Sequence, residues 1–322
     1  MVLGVLAKAQ HPNAMLEHSI KGYAQGTSYN IKYYSDKALI TKQAIDSLLN
    51  EIDNSLSIYR TDSKISLFND VKTKQVKMDQ HMKTVIERSL MTYKLTDGYF
   101  DITVMPLVNL WGFGSQGARM NPNATEVQEA KSLVGINNLR VRNGYLKKKK
   151  KGISIDVNGI AQGYSVDILG EYLFSQGISN YIVEVGGEIV TRGAKPHGDF
   201  VVEVQRPFAK EDKPSYKIKL RDKAVTTSGT YEKKRNVNGK YISHHIDPFT
   251  GYPIENTTLS VTIIADKAIS ADAIDNYLMF ISPVEAIKFI ESHCNMECYL
   301  IYFENNTLKE LQSSGFNNYI YK

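Results

Sequence analysis

Apolar positions at three- and four-residue spacing mark three helices along the chain. Ile45, Leu48, Leu49 and Ile52 share one face of a predicted helix over 41–56. Ala161, Tyr164, Ile168, Leu169, Tyr172 and Leu173 repeat that pattern. Ile269, Ala273, Ile274, Tyr277, Leu278 and Ile281 give a third helix over 268–281. Between the helices, Asn143-Gly144 and Asn238-Gly239 each sit between strand-like runs, a hairpin signal because both residue types tolerate positive φ. Hairpin-joined strands with helices inserted irregularly predict an α+β fold with mixed, largely antiparallel sheets, not a doubly wound parallel one. No repeat or low-complexity linker divides the chain.

Composition narrows the classes without choosing one. The chain has 322 residues, 42% apolar and 23% charged, which is ordinary globular usage and excludes wholesale disorder. A net charge of +5 at this length is too mild to announce a nucleic-acid binder. No apolar run approaches the roughly eighteen residues a membrane span needs. Cys294 and Cys298 exclude a disulfide framework, and without nearby His pairs they make a poor zinc site. They read as incidental thiols, which an exported protein could pair. At the start, MVLGVL precedes Ala7-Lys8-Ala9, a small-residue pattern like a secretory cleavage site but lacking the basic leader. Residues 1–17 are therefore either a signal remnant or a plain N-terminal arm.

Two tempting patterns fail on context. Gly112-Phe113-Gly114-Ser115-Gln116-Gly117 fits G-x-G-x-x-G, yet no strand precedes it and Pro122 soon interrupts the chain beyond it, so helix amides cannot meet a pyrophosphate there. No Walker A sequence occurs. Lys147 to Lys151 reads as one arm of the Asn143-Gly144 hairpin, its lysines facing water, because no aromatics interleave with it.

Other stretches carry more chemistry. Ile155-Asp156-Val157-Asn158-Gly159-Ile160-Ala161-Gln162-Gly163-Tyr164 reads as a strand running through glycines into a helix, where a ligand can approach the backbone and amides favour an anion. Val185-Gly186-Gly187-Glu188 ends another strand in the same permissive way. Thr226-Thr227-Ser228-Gly229-Thr230 clusters hydroxyls suited to phosphate. His244, in Ser243-His244-His245-Ile246-Asp247-Pro248, is a candidate base near neutral pH. Asp272 and Asn276 lie four apart on one helical face, and hard oxygens without His or Cys suit Mg²⁺ or Ca²⁺. Taken singly, each stretch could equally be a polar turn or a solvated helix edge.

Taken in order, they resemble the ApbE-type flavin transferase family, the FAD:protein FMN transferases. The matching stretches begin with Gly26-Thr27-Ser28-Tyr29, Ser57-Ile58-Tyr59, Asp62-Ser63, Asn69, Thr96-Asp97-Gly98-Tyr99-Phe100-Asp101 and Trp111-Gly112-Phe113-Gly114. They continue with Asp156 to Asp167, Gly186-Gly187-Glu188, Thr227-Ser228-Gly229, Ser243-His244 with Asp247-Pro248-Phe249-Thr250-Gly251, and Ala271-Asp272. The likeness runs from about residue 24 to 282 and implies one catalytic unit over 18–322, built of two intimate subregions.

The resemblance implies Mg²⁺-dependent transfer of the FMN half of FAD to a Ser or Thr hydroxyl of a target protein, with release of AMP. Alternatives sharing the site are an Mg²⁺-dependent FAD pyrophosphatase and a non-catalytic flavin carrier. By resemblance, Asp272, the Ala161 carbonyl and Asn276 hold Mg²⁺, and His244 is the base. Tyr59 stacks on the flavin, while Asp156, Gly186, Gly187, Glu188, Thr227, Ser228 and Asp247 line the FAD pocket. Three positions depart from the family pattern: Asn276 stands for a threonine, Gln162 for a lysine and Gln25 for a methionine. The implied partner is an acceptor protein of a membrane-associated redox system, not a nucleic acid. The implied location is the periplasm or cell envelope.

Overall fold

The computed structural model describes residues 15–115, 121–204, 216–230, 234–237, 240–293, 295–305 and 307–322. The Ala7-Lys8-Ala9 pattern, the Asn238-Gly239 turn, the end of the G-x-G-x-x-G stretch and Cys294 lie outside them. Strands β1 (Leu16–Ala24) and β2 (Thr27–Ser35) are joined by Gln25 and Gly26, both at positive φ. Helix α1 (Lys42–Leu56) matches the first predicted helix; Thr41 caps it by accepting from Ala44 N at 3.2 Å. Next come α2 (Lys64–Asn69), β3 (Gln75–Lys77), α3 (Gln80–Leu95), α4 (Met105–Leu110) and α5 (Ala124–Lys131). The helix α4, not a strand, precedes Gly112, which removes the dinucleotide reading of that glycine run.

Asn143 and Gly144, at φ 51° and 74°, turn the hairpin of β4 (Leu139–Arg142) and β5 (Tyr145–Lys148) as predicted. Its lysines do not all face water. Lys148 lies over the Phe68 ring at 4.9 Å and donates to Asp70 O at 2.9 Å, and burial pulls its ammonium down to about 8. The remaining elements are α6 (Asn158–Ser175), β6 (Tyr181–Val185), β7 (Glu188–Arg192), β8 (Phe200–Val204), β9 (Tyr216–Leu220) and β10 (Ala224–Gly229). They are followed by β11 (Lys234–Val237), β12 (Lys240–Ser243), β13 (Thr258–Ala265), α7 (Ala268–Leu278), α8 (Pro283–Glu291), β14 (Glu297–Glu304) and β15 (Thr307–Gln312). The third predicted helix ends earlier than Ile281. Asn256 Nδ2 takes the carbonyls of Met279 and Ile281 at 2.7 and 3.1 Å, and Pro283 restricts the residue before it.

The main sheet has the order β1-β2-β6-β7-β10-β13-β14-β15, and its ladders are antiparallel throughout. Two-residue alternation sorts its side chains onto two faces. On one face, Ile31, Val183, Val190 and Ala224 pack with α1 and α6, while Val261, Ile263 and Leu300 pack with α7 and α8. On the other, Ile189, Val225, Ile264 and Ile301 pack with the β8–β9 hairpin. Among the described residues no helix is long and apolar enough to cross a membrane.

Two local features fix where α6 starts and how closely it meets α7. Residues 155–157 are not a strand, contrary to the sequence pattern. They run extended without a ladder because a side chain replaces the partner strand: Asn69 donates to Ile155 O and accepts from Ile155 N, each at 2.8 Å. Asp156 N adds a bond to Ile102 O at 2.7 Å. Then α6 packs against α7 at Gly163, where a Cβ would stand 2.4 Å from Ala268 O and 2.7 Å from the Asp272 Cβ. That glycine therefore serves close helix approach, not an anion. Lys267 offers α7 no side-chain cap, and Asp167 of α6 supplies one by accepting from Ala268 N and Ile269 N at 3.1 and 3.0 Å. Burial raises the Asp167 carboxyl to about 6.

Candidate active site

Where α6 meets α7, two carboxylates are enclosed. Asp272 accepts from Gly163 N at 2.8 Å. Asp275 accepts from Thr226 Oγ1 at 2.5 Å, Ser228 Oγ at 3.0 Å and Asn276 Nδ2 at 3.2 Å. Burial drives the Asp272 carboxyl up to about 7. Burial and then the neighbouring Asp272 charge drive Asp275 well above the usual carboxylate range. Among the described residues no group of three His, Cys, Asp or Glu side chains could hold a metal ion. The donor set here is two carboxylates with carbonyl, hydroxyl and amide oxygens around them, which is hard-cation chemistry. The residues present therefore fit Mg²⁺, because a divalent cation would offset the cost that burial imposes on the two ionised carboxylates.

The flanking oxygens are held in turn. Ala161 O accepts from Ser165 Oγ at 2.8 Å, and Ser165 Oγ accepts from Gln25 Nε2 at 3.0 Å. Asn276 Nδ2 also donates to Asp272 O at 2.8 Å and Gly159 O at 3.4 Å, which leaves its amide oxygen for another partner.

Beside the carboxylates opens a cavity of about 210 Å³. Tyr59, Asp156, Asn276 and His244, all singled out from the sequence, line it. Tyr59 is 61% exposed, and Asn158 Nδ2 donates to its hydroxyl at 3.5 Å. Asp156 Oδ1 accepts from Asn158 N at 2.9 Å, an Asx turn that starts α6. His244 lies against Phe113 at 6.3 Å between ring centroids and His245 at 4.1 Å. The His245 Nδ1 is tied to Ser243 Oγ at 2.9 Å.

Sequence reasoning gave no role to several other lining residues: Tyr99, Asp101, Phe113, Asn158, His245 and Phe280. Tyr99 and Asp101 stand in one of the family-like stretches, and the Asx pattern of Asp156-Val157-Asn158 was readable. Phe280 carried no signal, since its place depends on where α7 ends. Asp101 holds the connection in shape, accepting from Thr103 N at 2.8 Å, Thr103 Oγ1 at 2.6 Å and Ile136 N at 3.2 Å.

The remaining candidates lie elsewhere. Thr227 points to the opposite face from Thr226 and Ser228, where its hydroxyl meets Thr262 Oγ1 at 2.9 Å. With Gly186 and Gly187 it lines a second cavity of about 340 Å³ under β8. Ser228 is spent on Asp275. Glu188 is buried at the start of β7, beside the Gly186-Gly187 turn, whose φ values of 62° and 106° only glycine adopts easily. Asp247 closes its own loop, accepting from Phe249 N and Thr250 N at 2.7 and 3.2 Å.

Fold and site together define an antiparallel α+β protein with an aromatic cavity set against a pair of buried carboxylates. The chain belongs to the ApbE family, whose model matches residues 25–300. It is similar to the FAD:protein FMN transferase of Vibrio cholerae, 33% identical over 311 residues, 94% of this chain and 92% of that protein. It is also similar to that of Escherichia coli K12, 34% identical over 286 residues, 87% of this chain and 81% of that one. The solved flavin transferase ApbE from Vibrio cholerae aligns with a TM-score of 0.85 at 33% identity, covering 95% of this chain and 99% of that one. The Pseudomonas stutzeri flavinyl transferase ApbE in apo form aligns with a TM-score of 0.85 at 28% identity, covering 95% and 97%.

Proposed function

We propose that the chain is an FAD:protein FMN transferase that moves the FMN part of FAD, in the presence of Mg²⁺, onto a Ser or Thr hydroxyl of an acceptor protein. The observation that carries this reading is the buried Asp272–Asp275 pair beside Asn276, which lines an aromatic cavity with His244 in its wall. Tyr59 offers a face for a flat ring. Asp272, Asn276 Oδ1 and Ala161 O would hold Mg²⁺, with Asp275 behind them. Bound there, the ion would neutralise charge on the pyrophosphate. His244 accepts the acceptor hydroxyl's proton. The hydroxyl oxygen bonds to the FMN-side phosphorus as the bond to the AMP phosphate breaks, and AMP leaves with the bridging oxygen. In the same reading, the acceptor belongs to a membrane-associated redox system and the enzyme works in the cell envelope.

The deciding experiment incubates the protein with FAD, Mg²⁺ and a candidate acceptor and then weighs the acceptor. A mass gain of one FMN with stoichiometric AMP is expected. Release of FMN and AMP with no mass gain would mean that water is the acceptor, and no cleavage at all would leave a flavin carrier.

Two predictions concern the cation. Asn276→Thr keeps a hard oxygen on the same helical face, so its Mg²⁺ affinity by calorimetry should stay within about threefold or improve. A loss beyond about tenfold would show that Asn276 does not stand in for the family threonine. The second follows from protonation. The Asp272 carboxyl is raised to about 7 from an ordinary 3.8, so the folded metal-free protein binds a proton that the unfolded chain releases. Its stability contribution is present below about 4 and is lost as pH rises towards 7; Mg²⁺ binds the ionised form. The rise in melting temperature on adding Mg²⁺ should therefore be larger at pH 8 than at pH 6. Equal rises would count against Asp272 as a ligand.

A further inference from the structure

The main sheet is split at one place. The β7–β10 ladder holds only at Ala224–Val190 and Val225–Ile189, yet β10 continues to pair with β13 through Gly229–Ser260. Thr191 N donates to Lys223 O at 2.8 Å on the β7 side, and Thr230 N donates to Leu259 O at 2.9 Å on the β13 side. Backbone groups alternate between the two edges of a strand. Thr227 and Gly229 therefore direct their N–H and C=O towards the β7 side, past the point where that ladder has stopped.

The gap is a real opening. The second cavity runs beneath it on the β8 face, from the paired Ile189 and Val225 to Thr227, with Gly186 and Gly187 at its far side and Val202 above on β8. A Cβ built on Gly187 would meet nothing within 4 Å. On the same stretch of β10, Thr226 and Ser228 reach Asp275 from the opposite face.

We infer that this split receives an extended segment of the acceptor polypeptide as an added strand along Thr227–Gly229. The inference rests on the transferase reading and supplies what that reading lacks, a route for the acceptor. An extended chain has alternating main-chain donors and acceptors to match those that no described residue pairs along this edge. About 4.8 Å away from β10, its side chains alternate too. One set enters the second cavity and the other points to the face that carries Asp275 and Asp272, so a hydroxyl on that set is delivered to the candidate cation site. A small-molecule acceptor would need neither the strand edge nor the cavity on the far face.

The test uses the full chain with FAD, Mg²⁺ and a library of short peptides, each carrying one threonine. The best-labelled peptide is then resynthesised with single backbone N-methyl groups. Labelling should fall about tenfold or more at alternate positions and change little between them, because only every second N–H faces β10. Independently, Val202→Trp fills the cavity from β8 without touching the carboxylates. It should raise the KM for the peptide about tenfold while FAD cleavage by water stays within about twofold. A labelled peptide with a flat N-methyl profile, or an unaltered peptide KM in Val202→Trp, overturns the docking mode and leaves the transferase intact. Cleavage of FAD with no peptide labelled also overturns it. If host proteins too remain unlabelled, the transferase reading fails with it.

Discussion

Asp272→Ala is expected to lower Mg²⁺-dependent FAD cleavage and transfer by about a thousandfold or more, since a metal-neutralised displacement loses a charged ligand at its centre. The structure gives the reason for so large an effect. Asp272 is buried against Gly163, with no third acidic side chain within reach among the described residues to replace it. Alanine would also remove the carboxylate that accepts from Gly163 N, so a drop in stability accompanies the drop in activity. Asp272→Asn separates the two: its amide oxygen still accepts from Gly163 N, while the negative charge is gone. We expect Asp272→Asn to melt near or above the metal-free parent at pH 8, because a buried charge has been removed, and to be nearly as inactive as Asp272→Ala. Mg²⁺ titration by calorimetry and AMP release by chromatography check both. Full turnover in either variant would move the cation site elsewhere.

His244→Ala is expected to cost about a hundred- to ten-thousandfold in transfer while FAD still binds, because general-base catalysis is removed and the cavity's aromatic wall is not. Flavin fluorescence reports the binding and acceptor mass the transfer. His245 provides an internal control. Its ring touches His244, but its Nδ1 is engaged by Ser243 Oγ and its exposure is 4%, so it suits a positioning role. Loss of the acidic limb of the transfer pH profile in His244→Ala, with that limb retained in His245→Ala, is the expected pattern. The reverse would transfer the base assignment to His245.

How far these residues were readable in the chain varied with the kind of physics that places them. The helix over 41–56 and the start and body of α7 follow from periodicity, and the Asn143-Gly144 turn from local φ preference, so these were legible. Tyr59, Asp156, His244 and Asn276 do gather around one cavity, as the ordered motifs implied. Thr227 and the Gly186-Gly187 turn do not join them. A hydroxyl cluster in sequence is divided by the pleat, which sends Thr226 and Ser228 to one face and Thr227 to the other. Helical spacing alone puts Asp275 one position from Asn276 on α7. Yet two β10 hydroxyls and the Asn276 amide make it a buried partner of Asp272, a contact that helical spacing alone does not contain. The stretch before α6 failed for a similar reason. Its apolar alternation is real, but the partner is the Asn69 side chain from 86 residues earlier.

The close contact at Gly163 has a consequence for any engineered or naturally drifting version of this protein. The separation of α6 and α7 is set by bare backbone on one side, and the carboxylate proposed to bind the cation hangs from the other. Thermal robustness and cation geometry are thus written into a single interhelical spacing and cannot be adjusted one at a time. Substitutions that shift this seam would retune the reaction centre without touching a reacting group. Selection for heat tolerance should therefore find fewer acceptable changes along this seam than anywhere else in the core.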